Sequence, residues 1–582
     1  MNLSIIKKLA CILNKKQQRK IFGLGILILI GGLLETLGVS MMLPLVTAIM
    51  DVERMQQNKY VQMICGWFHI ENMNHFVIFL LIAVVLVFVL KNAYLLFLAY
   101  VQAKFVNSNQ HRAGSYMLEE YLNRPYEFYL DADIPTIFRI LDGDIPKVFQ
   151  LLLSLIRLAT ELVVAVCLFI LMVIIDFKMT MLMMALLLVM TFVILKLLKP
   201  KMNAIGKENQ EIQSIAGRWR TKAVYGIKDV KVLHKEHFFA SFYEKHTKRG
   251  MELTVLYSVF NSVPRTIIET TCIAGVLIYL AISISAGVDV KNLLSSITAL
   301  AVAAVRLMPS MNRINTYLTD IAFYEPALDY VYEHVDFTKY KEEGRYVTTS
   351  PANKEPIVIN TDIILKDITY SYPNTEKKIL NHANMVVPYG KSIGIVGPSG
   401  AGKSTVVDIF LGLLQMQEGN ILCGGRNVMD NYPSWLSHIG YIPQTIYLSD
   451  DSIRDNIAFG VPKEEIDDER IWHVLEEAQM KNFVEKLPEG LDTSTGDRGV
   501  RISGGERQRL GIARALYHDP DILVFDEATS ALDNTTEKAV MEAINHFHGK
   551  KTMLIIAHRL NTLEQCDMIY RVENGQITRQ EA

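Results

Sequence analysis

Gly397-Pro398-Ser399-Gly400-Ala401-Gly402-Lys403-Ser404 follows the apolar run Ile393-Gly394-Ile395-Val396 and leads into a helical run from Thr405 to Leu414. A strand, a glycine-rich turn and a helix in that order make a phosphate-binding loop. The glycines let backbone N–H groups turn inward around a polyphosphate, where the helix N-terminus adds partial positive charge. Lys403 is placed to reach the β- and γ-phosphates of ATP and the Ser404 hydroxyl to ligate magnesium. Gly397, Ser399, Gly400, Gly402 and Thr405 complete the predicted nucleotide loop, so ATP and Mg2+ are the expected cofactors.

Further along, Ile522-Leu523-Val524-Phe525-Asp526-Glu527 reads as a buried strand ending in two carboxylates. Asp526 suits the magnesium shell, and Glu527 is placed to polarise an attacking water as general base. Strands that alternate with helices beyond about residue 360 fit an α/β domain.

Ile502-Ser503-Gly504-Gly505-Glu506 precedes that strand and resembles the signature of ATP-binding cassette (ABC) proteins. The family usually has Gln where Glu506 stands and Leu where Ile502 stands, but Ser503, Gly504 and Gly505 keep the phosphate-binding element. The resemblance implies further roles. Tyr372, before Pro373, looks like the aromatic that stacks on adenine, and Gln444 like the glutamine that contacts magnesium. Asp533, in Ser530-Ala531-Leu532-Asp533, resembles the D-loop aspartate, and His558 the switch histidine at the γ-phosphate. In this family the signature of one cassette completes the phosphate loop of another. A chain with one cassette is thus expected to dimerise, most simply with a second copy of itself, with a related half as the alternative.

The remainder of the chain is of another kind. The 582 residues are 50% hydrophobic yet 21% charged, a mixture that suits a membrane domain joined to a water-soluble one. The formal charge of −2 gives no basic footprint for a nucleic-acid partner. The six cysteines form no Cys-x-x-Cys pair and suggest neither a zinc site nor a disulfide framework.

Six apolar stretches come close to the ~20 residues that a bilayer of ~30 Å requires. They centre near residues 22–50, 76–102, 151–175, 179–197, 256–285 and 293–315. Residues 1–20 carry Lys7, Lys8, Lys15, Lys16, Arg19 and Lys20 among Ile5, Ile6, Leu9, Ile12 and Leu13 at helical spacing, which predicts a retained interfacial helix. Those positive charges put the N-terminus inside, and six spans return the C-terminal domain to the same side. In the first outer loop, Tyr60, Val61, Ile64, Trp67 and Phe68 suggest a second surface helix or a packed loop.

The expected architecture is a six-helix α-helical transmembrane domain (residues 1–335) and a linker (336–360), fused to an α/β P-loop nucleotide-binding domain (361–582). With the domains fused in this order, the chain resembles exporter-type ABC transporters. That likeness puts it in a bacterial plasma membrane with its ATPase domain cytoplasmic. It also marks segments near Asp131–Phe138 and His237–Tyr243 as coupling helices.

Charges inside a membrane are costly and point to function. Lys91, Arg157, Arg265, Arg306 and Arg313 all fall in the inner half of the predicted spans. Lys91, Arg265, Arg306 and Arg313 are candidate substrate contacts in a basic belt around a cavity. Structural alternatives are snorkelling and neutralisation within the i,i+4 pairs Arg157–Glu161 and Arg265–Glu269. A basic belt suits an anionic amphiphile. The whole chain also resembles bacterial lipid-linked oligosaccharide flippases of the PglK type, which implies a polyprenyl-pyrophosphate glycan as substrate. A lipid or drug exporter of broad specificity is the alternative.

Overall fold

The computed structural model describes residues 3–41, 62–63, 66, 73–175, 177–285, 290–335, 355–496, 499–527, 534–557, 563 and 565–580. The chain divides into two compact units. The first comprises Met1–Asn123 and Asp133–Val347, the second Arg124–Ala132 and Thr348–Ala582. The outer-loop residues Tyr60, Val61, Ile64, Trp67 and Phe68 lie outside the described residues, as does most of the expected linker.

The first unit is helical. A short helix α1 (Leu3–Ile12) precedes α2 (Lys15–Ser40) and α3 (Met73–Leu122). A short helix α4 (Tyr126–Asp131) interrupts the unit and belongs to the second one. After α5 (Ile134–Arg139) come α6 (Ile145–Ile175), α7 (Phe177–Tyr225), a short α8 (Ile227–Val232), α9 (Glu236–Ser285) and α10 (Val290–His334).

Each predicted apolar stretch lies on its own long helix, the first of them over its described part. At 1.5 Å per residue, the 50 residues of α3 run about 75 Å, more than twice the hydrocarbon thickness. Its polar second half therefore continues well past a bilayer. Among the described residues three segments are long and apolar enough to cross a membrane: Lys15–Gly38, His75–Leu122 and Ile134–Ile174. Exposed Leu81, Ile82, Val85, Leu86, Val89 and Leu90 on α3 form the kind of surface that lipid covers.

α10 packs against α6 and α7. A Cβ on Gly206 of α7 would stand 2.3 Å from the carbonyl oxygen of Phe323 on α10, so glycine sets how closely these two backbones cross. Asn315 of α10 is fully buried there; its amide donates to Thr191 Oγ1 of α7 at 3.3 Å and to the Met311 carbonyl at 2.9 Å.

The second unit holds two sheets. β1 (Ile363–Tyr370), β2 (Leu380–Val387), β4 (Glu418–Cys423) and β5 (Arg426–Asn427) form an antiparallel sheet in the order β2-β1-β4-β5. The larger sheet contains β3 (Ser392–Val396), β6 (Ile439–Ile442), β7 (Ile522–Asp526), β8 (Thr552–Ile556), β9 (Met568–Glu573) and β10 (Gln576–Gln580), in the order β10-β9-β3-β8-β7-β6. All its pairings are parallel except β9 with β10. Ile393, Ile395, Leu523, Val524, Phe525 and Leu554 have no exposed surface, as expected for central strands covered on both faces.

Helices α11 (Lys403–Phe410) and α12 (Gly504–Leu516) complete the frame of the site. β8 lies between β3 and β7, so the phosphate loop and the two carboxylates leave neighbouring carboxyl ends of one parallel sheet. Ligands of open α/β sheets gather at such edges.

Candidate functional site

The phosphate loop has the backbone its sequence predicts. Gly397, Gly400 and Gly402 have φ of 154°, 76° and 103°. A Cβ on Gly397 would fall 2.3 Å from the Val572 carbonyl oxygen, so this turn excludes any side chain. Lys403 is 5% exposed, and its Nζ donates to the carbonyls of Gly397 at 3.1 Å and Pro398 at 3.2 Å. The loop is thus closed around its own cation. Ser399, Gly400 and Ser404 are exposed, while Thr405 is buried with its hydroxyl 3.0 Å from that of Tyr372. This bond ties the predicted adenine-stacking ring to the first turn of α11. The Tyr370 ring meets Tyr372 edge-on at 5.2 Å.

At the end of β7, burial and the neighbouring Glu527 charge push the Asp526 carboxyl above the ordinary range, while a hydrogen bond from Tyr441 and the Lys403 charge oppose this. Tyr441 pairs with Val524 across β6 and β7, two residues before Asp526, and its ring reaches along β7 to that last residue of the strand. Glu527 takes a left-handed backbone with φ 50°, and its N–H donates to the Ile556 carbonyl at 3.1 Å. Its Oε2 accepts a hydrogen bond from Gln444 Nε2 at 2.8 Å. Gln444 is anchored in turn by Gln508, whose amide donates to its carbonyl at 3.3 Å.

Because the Gln444 amide nitrogen is turned toward Glu527, its amide oxygen remains for another partner. That oxygen, the Ser404 hydroxyl and the Asp526 carboxyl would supply oxygen donors only. Such a set fits Mg2+, which keeps waters and phosphate oxygens as further ligands. Among the described residues no group of three or more His, Cys, Asp or Glu could hold a metal unaided.

Ser503 caps α12 in a reciprocal capping box. Its Oγ accepts from the Glu506 N–H at 3.4 Å, and Glu506 Oε2 accepts from the Ser503 N–H at 2.9 Å. The Glu that departs from the usual signature therefore has a local task that Gln could also perform. Gly504 is exposed and Gly505 buried. Asp533 and His558 lie outside the described residues.

The four candidate substrate residues sit on three helices: Lys91 on α3, Arg265 on α9, Arg306 and Arg313 on α10. Lys91 is 6% exposed and bound to Glu35 of α2, with Nζ 3.0 Å from Oε2. Arg313 Nε lies 2.6 Å from Glu161 Oε1. Glu161 thus pairs across helices with Arg313 and not within its own helix with Arg157. Arg265 is exposed, and no ion pair with Glu269 forms. The side chain of Arg306 lies outside the described residues.

No sequence motif marks Tyr441, nor Asp408 on α11, whose carboxyl is pushed up to about 6 by burial and by the Asp526 charge. Tyr441 depends on β6 lying beside β7, and Asp408 on α11 packing against β7, which no local pattern encodes. Nor does any motif reveal Glu127. The Asp131–Phe138 segment begins on the last residue of α4 and continues into α5, and residues 237–243 form the opening turns of α9.

A bundle of long membrane-type helices joined to one phosphate-loop cassette is the architecture of an exporter-type half-transporter. Family models match it on both sides of the junction, "ABC transporter transmembrane region" over residues 21–305 and "ABC transporter" over residues 380–530. The chain belongs to the ABC transporter family and is an integral membrane protein.

Its relatives include an ATP-dependent lipid A-core flippase of Vibrio cholerae, 37% identical over 42% of this chain and 40% of that protein. ABC transporter B family member 6 of Dictyostelium discoideum is 38% identical over 46% of this chain and 40% of its own length. The lipid A-core flippase of Idiomarina loihiensis is 40% identical over 37% of each chain. The matched region thus spans about two fifths of the length of these curated relatives. A solved structure of a bacterial Atm1-family ABC exporter with ATP bound has a TM-score of 0.73 at 20% identity, covering 96% of this chain and 94% of that one. At that identity the likeness establishes the fold alone.

Proposed function

We propose that this chain is half of an ATP-driven lipid flippase that works as a homodimer. The observation that carries the reading is the meeting of Lys403, Asp526 and the Gln444–Glu527 pair at one edge of the parallel sheet, in a chain whose other unit is a bundle of membrane-type helices. Tyr372 stacks on adenine, and the backbone of residues 397–402 with Lys403 and Thr405 holds the phosphates. Ser404, Gln444 and Asp526 hold Mg2+, which neutralises phosphate charge when bound. Glu527 orients and polarises the water, and His558 senses the γ-phosphate. Ser503, Gly504 and Gly505 of one copy, with Asp533, complete the site of the other. Nucleotide binding closes the cassettes and hydrolysis releases them, so each membrane state must bind substrate with different affinity.

The lipid A-core flippases among the relatives support a lipid substrate, moved from the inner to the outer leaflet of a bacterial plasma membrane, with the cassette and N-terminus cytoplasmic. We take the cargo to be a polyprenyl-pyrophosphate oligosaccharide whose pyrophosphate meets Arg265 and Arg306. Lys91 and Arg313 would contribute only by exchanging their present carboxylate partners. Full-length protein in lipid should show ATPase activity that this glycolipid stimulates. Glu527→Gln should bind ATP but lose hydrolysis, and Arg265→Ala with Arg306→Ala should lose only the stimulation. Stimulation by hydrophobic cations and indifference to the glycolipid would instead favour a broad-specificity exporter.

A further inference from the structure

The two faces of β7 meet different cores. Leu523 and Phe525 pack on one side with Ile442, whereas Ile522 and Val524 pack on the other with Val406, Val407 and Phe410 of α11. Alternation along the strand puts Asp526 on the α11 face, and the Lys403 charge acts on its carboxyl. Tyr441 belongs to the same side: it packs into that second core and pairs with Val524, two residues before Asp526. Two residues of parallel strand rise about 6.6 Å, close to the length of a tyrosine side chain. A ring laid along β7 therefore brings its hydroxyl to the Asp526 carboxyl, and the hydroxyl donates there.

A half-buried tyrosine needs an acceptor for its hydroxyl, and packing alone would be served by any. Two carboxyls lie within electrostatic reach of this one, Asp408 of α11 and Asp526, together with the Tyr126 phenol of α4. The bond goes to Asp526, the carboxyl proposed to hold Mg2+. A phenol, with an ordinary pKa of about 10, donates throughout the neutral range. The next carboxylate is supported separately, because Glu527 turns through a left-handed backbone and is engaged by Gln444.

We propose that Tyr441 is a positioning residue for the metal: by engaging one oxygen of Asp526 it turns the other toward the ion that Ser404 and Gln444 share, and so sets a preference for Mg2+ over larger cations. This rests on the reading of Asp526 as a metal ligand. Mg2+ demands nearly ideal octahedral geometry at about 2.0–2.1 Å, whereas Ca2+ takes roughly six to eight oxygens and accepts a carboxylate through one atom or both. A carboxylate pinned at one oxygen suits the first ion, and one free to turn suits the second. Hydrogen-bond partners of metal ligands typically control affinity by about 10–100-fold.

The test uses full-length protein in lipid with a non-hydrolysable ATP analogue and Mn2+ as the spin probe. Bound Mn2+ is displaced by Mg2+ or Ca2+ and counted by electron paramagnetic resonance. Tyr441→Phe, which removes one oxygen and keeps the packed ring, should weaken Mg2+ about tenfold and Ca2+ by much less, while metal-free affinity for the analogue stays at the wild-type value. Introducing 4-aminophenylalanine at position 441 returns a donor to the ring and should restore the Mg2+ preference. Asp526→Asn is the control for the underlying assignment. If it leaves Mn2+ binding unchanged, Asp526 is no ligand, and the reading of the site fails along with this proposal. If it weakens Mn2+ while Tyr441→Phe keeps the wild-type ratio of Mg2+ to Ca2+ affinity, the metal assignment stands and the positioning role falls. Equal loss for both cations, together with loss of metal-free nucleotide affinity, would make Tyr441 a packing residue and also overturn the proposal.

Discussion

Glu127 Oε1 accepts the Tyr370 hydroxyl at 3.3 Å and, at the same oxygen, the Gln415 backbone N–H at 3.2 Å. Glu127 lies on α4, which groups with the cassette although its sequence neighbours belong to the helical unit. Tyr370 touches the ring of Tyr372, so a short chain of contacts joins α4 to the place proposed for adenine. Glu127→Ala leaves a buried phenol and an amide without their acceptor, at about 1–3 kcal/mol. The expected outcome is retained basal ATPase with a raised KM for ATP and loss of substrate stimulation, read by steady-state kinetics in lipid. Glu127→Gln keeps an acceptor oxygen and should restore most of both.

Asp408 gives the nucleotide-free cassette a pH dependence of definite sign. Its carboxyl titrates near 6 instead of 3.8 because it is buried and faces Asp526. The folded state therefore holds a proton that the unfolded chain has released, so this group's contribution is fullest below its ordinary value and is lost as pH rises through about 6. Asp408→Asn should raise the melting temperature at about pH 7.5, by clearly less than the ~3 kcal/mol that the full shift would give, because solvent reaches and screens this half-buried carboxyl. The gain should shrink toward zero near pH 4 if calorimetry follows the same transition.

Lys91 and Glu35 bind each other inside the helical unit with side chains only 7% and 25% exposed. Lys91→Met alone strands a carboxylate and should destabilise detergent-solubilised protein by about 3–5 kcal/mol. Lys91→Met combined with Glu35→Gln should recover most of that loss. Full substrate-stimulated activity in the double variant would assign Lys91 to structure and remove it from the cargo path.

Gly206→Ala places a methyl group 2.3 Å from the Phe323 carbonyl, which no rotamer can avoid. Separating α7 from α10 should cost about 1–3 kcal/mol or more. It should also disturb the buried Asn315–Thr191 contact between the same helices. Thermal unfolding followed by tryptophan-independent circular dichroism would measure the loss, while Gly217→Ala, whose Cβ meets nothing within 4 Å, serves as the neutral control.

What the sequence made legible was whatever is written in consecutive residues. Gly397 to Ser404 carries its own turn geometry, the run to Asp526 and Glu527 declares a strand end, and the apolar lengths of α3 and α6 are set by a bilayer's thickness. Pairings that cross between elements were not legible. Glu161 looked like a partner for Arg157 because four residues separate them, yet the crossing of α6 and α10 brings Arg313 closer. Tyr441 carries no local mark, and becomes a support for Asp526 only because β6 lies next to β7. The departure at Glu506 was visible as a letter; the reciprocal cap with Ser503 that tolerates it is a matter of three-dimensional geometry.

The bonds that Lys403 makes to the carbonyls of Gly397 and Pro398 set a threshold for admission. An arriving anion must draw the ammonium away from two acceptors that already satisfy it. A single weakly charged phosphate recovers little for that exchange, whereas a β,γ-pair offers several oxygens at once to the lysine and to the amides beside it. The loop's own carbonyls therefore compete with any phosphate for this lysine, before any contact with the base is made.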